Sequence, residues 1–370
     1  MICNNIGINA KGHLTFAGQD TTELAAQYGT PLYLIDENKI REKMSTYVKA
    51  MKENFGENAL PLYASKALCF KKIYKIANEE HMGVDAVSPG EIYTALQAGF
   101  PMEKVYFHGN NKTDADIEFA IENRIGYFIC DNLDELDAID EIAGKHGIKQ
   151  KIIFRLTPGI DPHTHVKIST GKVDSKFGIA IETGQAEEAI KIALGKKNIE
   201  LCGYHCHIGS QTFDIKPFVD GAEIMLKFIA HIKEVLGYEA HILNLGGGMG
   251  VKYVESDPEI DYAANIKGIA DMMKKRSAEL GINMPLVLME PGRSIVADAG
   301  MTLYTVGGTK EIPGYKNYVS IDGGMTDNPR YTLYEAAYTI KLANKADKAP
   351  EKEYTVGGRC CESGDLIQEH

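Results

Sequence analysis

Short apolar runs alternate with longer segments of helical periodicity over most of the chain, and this alternation constrains the fold more than any other feature. The runs lie at Leu60–Ser65, Gly83–Ser88, Val105–Gly109, Tyr127–Asp131, Lys151–Thr157, Ile199–His207, Ala240–Leu245 and Pro285–Glu290. Strands that are apolar on both faces and separated by helices are typical of parallel sheets built from βαβ units. Because the units repeat evenly, residues 33–293 predict an α/β fold, a (β/α)₈ barrel of the TIM type, in preference to a doubly wound open sheet.

From residue 294 the pattern changes to β-rich segments joined by turns that contain glycine and proline. These segments lie at 301–307, 317–321, 331–342 and 353–356. Without helical segments between most of them, they predict a mostly antiparallel β domain. We expect residues 1–32 to join residues 294–370 in this domain, with a short helix at 21–28 that leads into the barrel.

Composition narrows the class of function. A formal net charge of −11 argues against binding to nucleic acid, which favours basic proteins. The chain has no apolar run of membrane-spanning length and no leader-like N-terminus, and its seven cysteines include no Cys-x-x-Cys pair. These features predict a cytoplasmic protein that acts on a small molecule, away from membranes.

Each predicted barrel strand ends in a polar, charged or glycine-rich element, which is where such barrels carry their functional side chains. In chain order these elements are Lys66, Asp85–Ser88, His108, Asp131, Arg155, His205–Ser210, Gly246–Gly250 and Glu290–Arg293. Packing does not explain so many polar strand ends. We therefore predict a functional site at this rim of the barrel.

Four of these elements together favour a phosphorylated carbonyl cofactor. Lys66 stands between apolar residues, where desolvation would lower the pKa of its amine and let it attack a carbonyl. Taken alone, it is better explained as a strand-end lysine whose amine reaches solvent. Gly246–Gly250 and Ser210 can surround an anion, and Arg293 can bind a phosphate or form a salt bridge. With the acid Glu290 they predict pyridoxal 5′-phosphate (PLP).

The segment 202–207 also raises the possibility of a metal site, because His205 and His207 lie close to Cys202 and Cys206. Strand alternation places the histidines on one face and the cysteines on the other, so the four cannot easily converge. We therefore expect no metal. A barrel hydrolase that uses a metal on the two histidines is the corresponding alternative function.

At these residues the chain resembles PLP-dependent enzymes with an alanine-racemase-like barrel, and among them the diaminopimelate decarboxylase family, from about residue 29 onward. Residues 63–67 resemble the segment whose lysine, here Lys66, binds the cofactor. The resemblance implies that His207 stacks on the pyridine ring, that Ser210 contacts the phosphate and that Glu290 pairs with the ring nitrogen. The other implied cofactor contacts are Asp85, Arg155, Gly246, Gly247, Gly248 and Arg293.

The same resemblance implies that the substrate contacts Arg293, Arg330, Tyr334 and Glu362, with Cys361 or Lys66 as the proton donor. In that family the cysteine segment, here 361–365, crosses a dimer interface, so we expect a homodimer with shared sites. Residues 163–177 resemble the mobile loop over the site. The family continues for a few dozen residues beyond the end of this sequence, so we expect the β domain to be shortened.

Glu290 favours decarboxylation on physical grounds, because a carboxylate keeps the ring nitrogen protonated and makes the ring a strong electron sink. The resemblance implies conversion of meso-2,6-diaminopimelate to L-lysine and CO₂, the last step of lysine synthesis. Arg330 would bind the distal carboxylate, and Glu362 would bind the distal ammonium. The alternatives are a decarboxylase of the same fold acting on ornithine, arginine or carboxynorspermidine, and a non-catalytic homologue that binds partners.

Overall fold

The computed structural model describes residues 1–160 and 175–369, and the chain divides into two compact units. The barrel unit comprises residues 41–250 and 260–295. The β unit comprises residues 1–40, 251–259 and the chain from 296 onward. Each unit is described by itself below.

The β unit begins with a small antiparallel sheet and one helix. Its elements are β1 (Ile6–Ile8), β2 (Leu14–Phe16), β3 (Gln19–Asp20), α1 (Thr21–Tyr28) and β4 (Leu32–Ile35). Helix α1 begins where it does because the Asp20 carboxylate accepts hydrogen bonds from the N–H groups of Thr22 and Glu23. This confirms the short helix predicted at 21–28.

The barrel unit alternates strands and helices, as the sequence pattern predicts. In chain order its elements are α2 (Glu37–Phe55, which begins in the β unit), β5 (Ala59–Ala64), α3 (Lys71–Glu79), β6 (Gly83–Ala86), α4 (Pro89–Gln97), β7 (Val105–Phe107), α5 (Asp114–Glu122), β8 (Tyr127–Cys130), α6 (Leu133–Lys145), β9 (Gln150–Thr157), β10 (Ile179–Ala180), α7 (Gln185–Leu194), β11 (Ile199–His205), α8 (Lys216–Leu236), β12 (Ile242–Asn244), α9 (Tyr262–Leu280), β13 (Leu286–Met289) and α10 (Arg293–Val296). Parallel pairing runs β5-β6-β7-β8-β9-β11-β12-β13, and β13 pairs back to β5. The predicted eight-stranded parallel barrel is confirmed.

One layer of buried side chains from seven barrel strands forms a hydrophobic cluster. Its members are Leu62, Tyr106, Ile129, Ile153, Cys202, Ile242 and Leu288. Strand β6 contributes Gly83, which pairs with Leu62, and a Cβ at Gly83 would lie only 2.5 Å from Leu62 Cδ2. Glycine therefore leaves the space that the large side chain of Leu62 fills.

The C-terminal part of the β unit has five strands, four of which form one sheet, and one short helix. Its elements are β14 (Gly300–Leu303), β15 (Val306–Glu311), β16 (Asn317–Ile321), α11 (Arg330–Tyr334), β17 (Thr355–Gly357) and β18 (Leu366–Gln368). Strand β14 pairs antiparallel with β4, and the sheet order is β15-β16-β17-β18. The pairing is antiparallel except between β16 and β17, which are parallel.

The prediction of a β-rich segment at 331–342 is wrong. This segment begins within helix α11, where Leu333 N–H donates to the Pro329 carbonyl and Glu335 N–H donates to that of Tyr331. Glu335 then takes a left-handed conformation, with φ of 52°, which ends the helix. Over the described part of the chain, no helix is long and apolar enough to span a bilayer.

Candidate active site

Lys66 lies at the rim of the barrel, directly after strand β5. The strand ends at Ala64, and Lys66 stands in the 3₁₀ turn Ser65–Ala67, with its side chain exposed while Ser65 is buried. The expectation that strand residues would desolvate Lys66 is therefore wrong, because Lys66 lies beyond the end of the strand and is exposed. Its amine is open to a carbonyl compound at the rim.

Glu290 follows strand β13 and is the centre of a buried polar cluster. Its side chain is 5% exposed. Asn244 Nδ2 donates to Oε1 at 2.6 Å, and His205 Nε2 donates to Oε2 at 3.2 Å. His108 Nε2 lies 2.8 Å from Oε1. Each of the three partners stands at or just after the C-terminal end of its own strand, so the barrel brings them together.

The charges in this cluster favour an ionised Glu290. Burial opposes ionisation, but His108 and His205 outweigh it and hold the pKa of the Glu290 carboxyl well below its usual value. Burial also lowers the pKa of His205 to about 4, so this imidazole is neutral near pH 7. An ionised carboxylate only accepts hydrogen bonds, which assigns the proton of neutral His205 to Nε2.

Asp85 and Arg155 lie at the ends of strands β6 and β9. Asp85 is buried, and burial raises the pKa of its carboxyl. Its Oδ1 is 3.7 Å from His108 Nε2, and within the described residues it has no hydrogen-bond partner. The Arg155 guanidinium carbon lies 4.3 Å from the centre of the Phe177 ring, and its Nε is 4.0 Å from Asp131 Oδ1.

The glycines after strand β12 form a tight turn that no larger residue fits. A Cβ at Gly247 would lie 2.1 Å from the Glu290 carbonyl oxygen, and one at Gly248 would lie 1.9 Å from the Gly209 carbonyl oxygen. Gly246 and Gly248 also have positive φ angles, of 68° and 118°. The turn therefore packs its backbone directly against the ends of two neighbouring strands.

His207, Ser210 and Arg293 lie beside this turn. Gly247 N–H donates to His207 Nδ1 at 3.4 Å, and Arg293 Nη2 donates to Ser210 Oγ at 3.2 Å. The barrel unit thus joins every cofactor residue predicted after strands β11, β12 and β13. Backbone N–H groups, a hydroxyl and a guanidinium form a set of donors suited to a phosphate.

Arg330, in the β unit, begins helix α11 and lies between two aromatic rings. Its guanidinium carbon is 4.0 Å from the centre of the Tyr253 ring and 5.2 Å from that of Tyr338. The Nε and Nη1 atoms are buried and have no hydrogen-bond partner among the described residues. Tyr334 ends the same helix.

The segment 360–365 is connected to helix α11 and to the turn before it. Thr332 Oγ1 donates to the Gly364 carbonyl at 2.9 Å. The buried Asp365 carboxylate accepts hydrogen bonds from Met325 N–H at 2.5 Å and from Cys360 N–H at 2.7 Å. Cys361 and Glu362 are exposed at the tip of this segment.

Three contributors to these clusters escaped the sequence prediction. Asn244, Tyr253 and Tyr338 stand outside the motifs, and only the position of Asn244, two residues before the glycine turn, could have indicated it. His108 and His205, predicted as polar strand ends, form with Glu290 a buried group whose ligand atoms lie within 4.8 Å of one another. Most of the loop predicted at 163–177 lies outside the described residues.

Comparison with known proteins gives a consistent family. Residues 37–297 match the family model described as "Pyridoxal-dependent decarboxylase, pyridoxal binding domain". The chain is 46% identical over 360 residues to a diaminopimelate decarboxylase of Bacillus methanolicus, covering 97% of this chain and 83% of the relative. It is 45% identical over 359 residues to that of Staphylococcus aureus, with coverage of 97% and 83%.

Solved structures agree with this family. A diaminopimelate decarboxylase from M. jannaschii, in complex with L-lysine, superposes with a TM-score of 0.88 at 36% identity and covers 99% of this chain and 83% of its own. The enzyme from Helicobacter pylori, also complexed with L-lysine, has a TM-score of 0.83 at 32% identity, with coverage of 94% and 84%.

Proposed function

We propose that this chain, which belongs to the diaminopimelate decarboxylase family of pyridoxal-dependent decarboxylases, converts meso-2,6-diaminopimelate to L-lysine and CO₂. The observation that carries the choice of substrate is Arg330, a half-buried cation with two unpartnered nitrogen atoms among the described residues. Such a cation is well suited to bind an anionic ligand. A second carboxylate, distant from the reacting one, distinguishes diaminopimelate from ornithine and arginine.

The residues present fit PLP. A cofactor ring beside Glu290 would meet the ionised carboxylate, and Asp85 Oδ1, which is buried without a partner among the described residues, could accept a further hydrogen bond. The phosphate would bind at Gly246–Gly248, Ser210 and Arg293, where backbone N–H groups, a hydroxyl and a guanidinium lie close together. When bound, PLP supplies the electron sink that stabilises the charge left at Cα by loss of CO₂.

The side chains at the proposed site have distinct roles. The exposed amine of Lys66 would hold the cofactor through its carbonyl carbon. Glu290 would keep a proton on the ring nitrogen, and the neutral His207 side chain would contact the cofactor ring. Cys361 or Lys66 would deliver the proton that Cα needs once CO₂ has left.

The β unit supplies groups that recognise the far end of the substrate. Arg330 binds the distal carboxylate through its unpartnered N–H groups, in a bidentate geometry that a lysine could not provide. The exposed carboxylate of Glu362 binds the distal ammonium. Tyr334, at the end of helix α11, is a further substrate contact. Together they select a substrate with both charges at its far end.

A substrate panel tests this proposal. With PLP added, we expect turnover of meso-diaminopimelate and little turnover of ornithine, arginine or carboxynorspermidine. Arg330→Gln should lower kcat/KM for diaminopimelate about 10- to 100-fold, since it removes hydrogen bonds between charged groups. Arg124→Gln, at an exposed arginine of the barrel unit, is the matched control. Preference for ornithine would indicate the alternative decarboxylase, and bound PLP without any turnover would indicate a binding protein.

We also propose that the protein is a cytoplasmic homodimer with shared sites. All seven cysteines are free thiols, in keeping with a reducing compartment. The inactive variants Lys66→Ala and Cys361→Ala/Glu362→Ala, unfolded and refolded together, should recover about one quarter of wild-type activity, because a mixed dimer keeps one intact site. No recovery, in a mixture that light scattering shows to be dimeric, would place each site within one subunit.

A further inference from the structure

The neighbours of Glu290 are fixed by the barrel backbone itself. His205 is the last residue of strand β11, in register with Arg155 and Asn244 on the two flanking strands. His108 N–H donates to the Ala86 carbonyl at 2.8 Å, which continues the strand ladder beyond β7. The two imidazole rings meet edge to face, with centres 4.9 Å apart. The backbone of both histidines is therefore held at strand ends, and their rings pack against each other.

These contacts occupy both carboxylate oxygens of Glu290. Oε1 is held by Asn244 and lies beside His108, while Oε2 is held by His205. Asn244 is itself fixed, because its Oδ1 accepts the Gly246 N–H at 2.9 Å. The orientation of the carboxylate is thus fixed by contacts from the ends of three strands. Preorganised donors of this kind act on the ionised form and cost little reorganisation.

We propose that His205 and His108 are positioning residues, which hold Glu290 ionised and oriented so that it keeps a proton on the ring nitrogen of the cofactor. This inference rests on the proposed function and deepens it. The other charged groups around the carboxylate do not replace the histidines: Asp85 is a second acid beside His108, and Arg155 reaches toward Asp131. Without the two histidines, burial would favour the neutral form of the Glu290 carboxyl.

The test compares His205→Met with His205→Gln in the PLP-loaded protein. Methionine fills the same buried space without a donor, whereas the glutamine amide can restore an N–H close to the position of Nε2. We expect His205→Met to lower kcat roughly tenfold to a hundredfold, the loss expected for one hydrogen bond to an ionised group, with KM nearly unchanged. His205→Gln should recover most of that loss.

A second readout does not depend on turnover. With PLP labelled with ¹⁵N in the ring, NMR distinguishes a protonated from an unprotonated pyridine nitrogen, and we expect the protonated signal in wild type and His205→Gln but not in His205→Met. His231→Met is the matched control, because His231 makes a 2.7 Å contact with Glu187 on the surface of the same unit. It should change neither readout.

The outcomes separate cleanly. If wild type binds PLP with a protonated ring nitrogen but fails to decarboxylate diaminopimelate, the proposed substrate is wrong and the positioning role stands. If folded His205→Met keeps both the protonated signal and wild-type kcat, the positioning role is wrong. Should His205→Met fail to fold, His108→Met, nearer the rim, is read in the same way. Stoichiometric metal in purified holoenzyme, lost in these variants, would instead make His108, His205 and Glu290 a metal site.

Discussion

Gly248→Ala is the substitution for which the structure gives the sharpest expectation about the cofactor site. A Cβ at this position would lie 1.9 Å from the Gly209 carbonyl oxygen, far inside van der Waals contact, so the backbone must move. Gly209 immediately precedes Ser210, and Ser210 accepts a hydrogen bond from Arg293. The displacement therefore passes directly to the residues proposed to bind the phosphate. Gly248 also has a φ of 118°, which adds strain for any other residue.

We expect Gly248→Ala to raise the Kd for PLP at least tenfold, which corresponds to about 1.4 kcal/mol of binding free energy. The control is Gly281→Ala, where φ is also positive, at 64°, but a Cβ meets nothing within 4 Å. It carries the conformational cost without the clash. Kd is measured by fluorescence titration of the apoprotein with PLP, alongside the urea midpoint of each variant. Equal affinity in Gly248→Ala and wild type would refute the assignment of this turn to the phosphate.

Three further predictions follow from other parts of the chain. Burial raises the pKa of the Glu91 carboxyl from 4.5 to about 7, so the folded wild type loses stability as pH rises from about 4.5 to about 7. A Glu91→Gln variant has no such loss, and its Tm in thermal melts should rise relative to that of wild type over this range. Asp365→Asn should lower kcat/KM about tenfold without changing the Kd for PLP, because an amide cannot accept hydrogen bonds from both Met325 N–H and Cys360 N–H. An unchanged kcat/KM would contradict this prediction. Gly83→Val should lower the free energy of unfolding by about 1–3 kcal/mol in urea titrations, since its side chain overlaps Leu62, and full stability would mean that the barrel interior can adjust.

The barrel was predictable because its strands are buried on both faces. Such strands must be continuous apolar runs, and parallel pairing requires a helix-length connection between them, so both signals are local in the sequence. The segment 331–342 lacks that advantage. Its tyrosines favour strands by propensity. The segment nevertheless begins with a single helical turn, which starts after Pro329 and ends at the left-handed Glu335.

The site was predictable only in part. Charged and glycine-rich strand ends are visible in the sequence because a closed parallel barrel directs them to one rim. Asn244 was not predicted, since its amide meets Glu290 46 positions away and no local pattern records that contact. The exposure of Lys66 depends on strand β5 ending two residues earlier, at Ala64, which a continuous apolar run does not show. The parts of the site that the motifs did not predict therefore depend on contacts between distant residues and on where each strand ends.

The reaction in D₂O tests the central claim most directly. The PLP-loaded protein is incubated with meso-diaminopimelate, and lysine and CO₂ are quantified while NMR locates deuterium in the product. We expect equal amounts of L-lysine and CO₂, with one deuteron on the carbon that lost its carboxylate, and neither product from Lys66→Ala. Deuterium exchange at Cα without release of CO₂, or formation of CO₂ without lysine, would contradict the assignment.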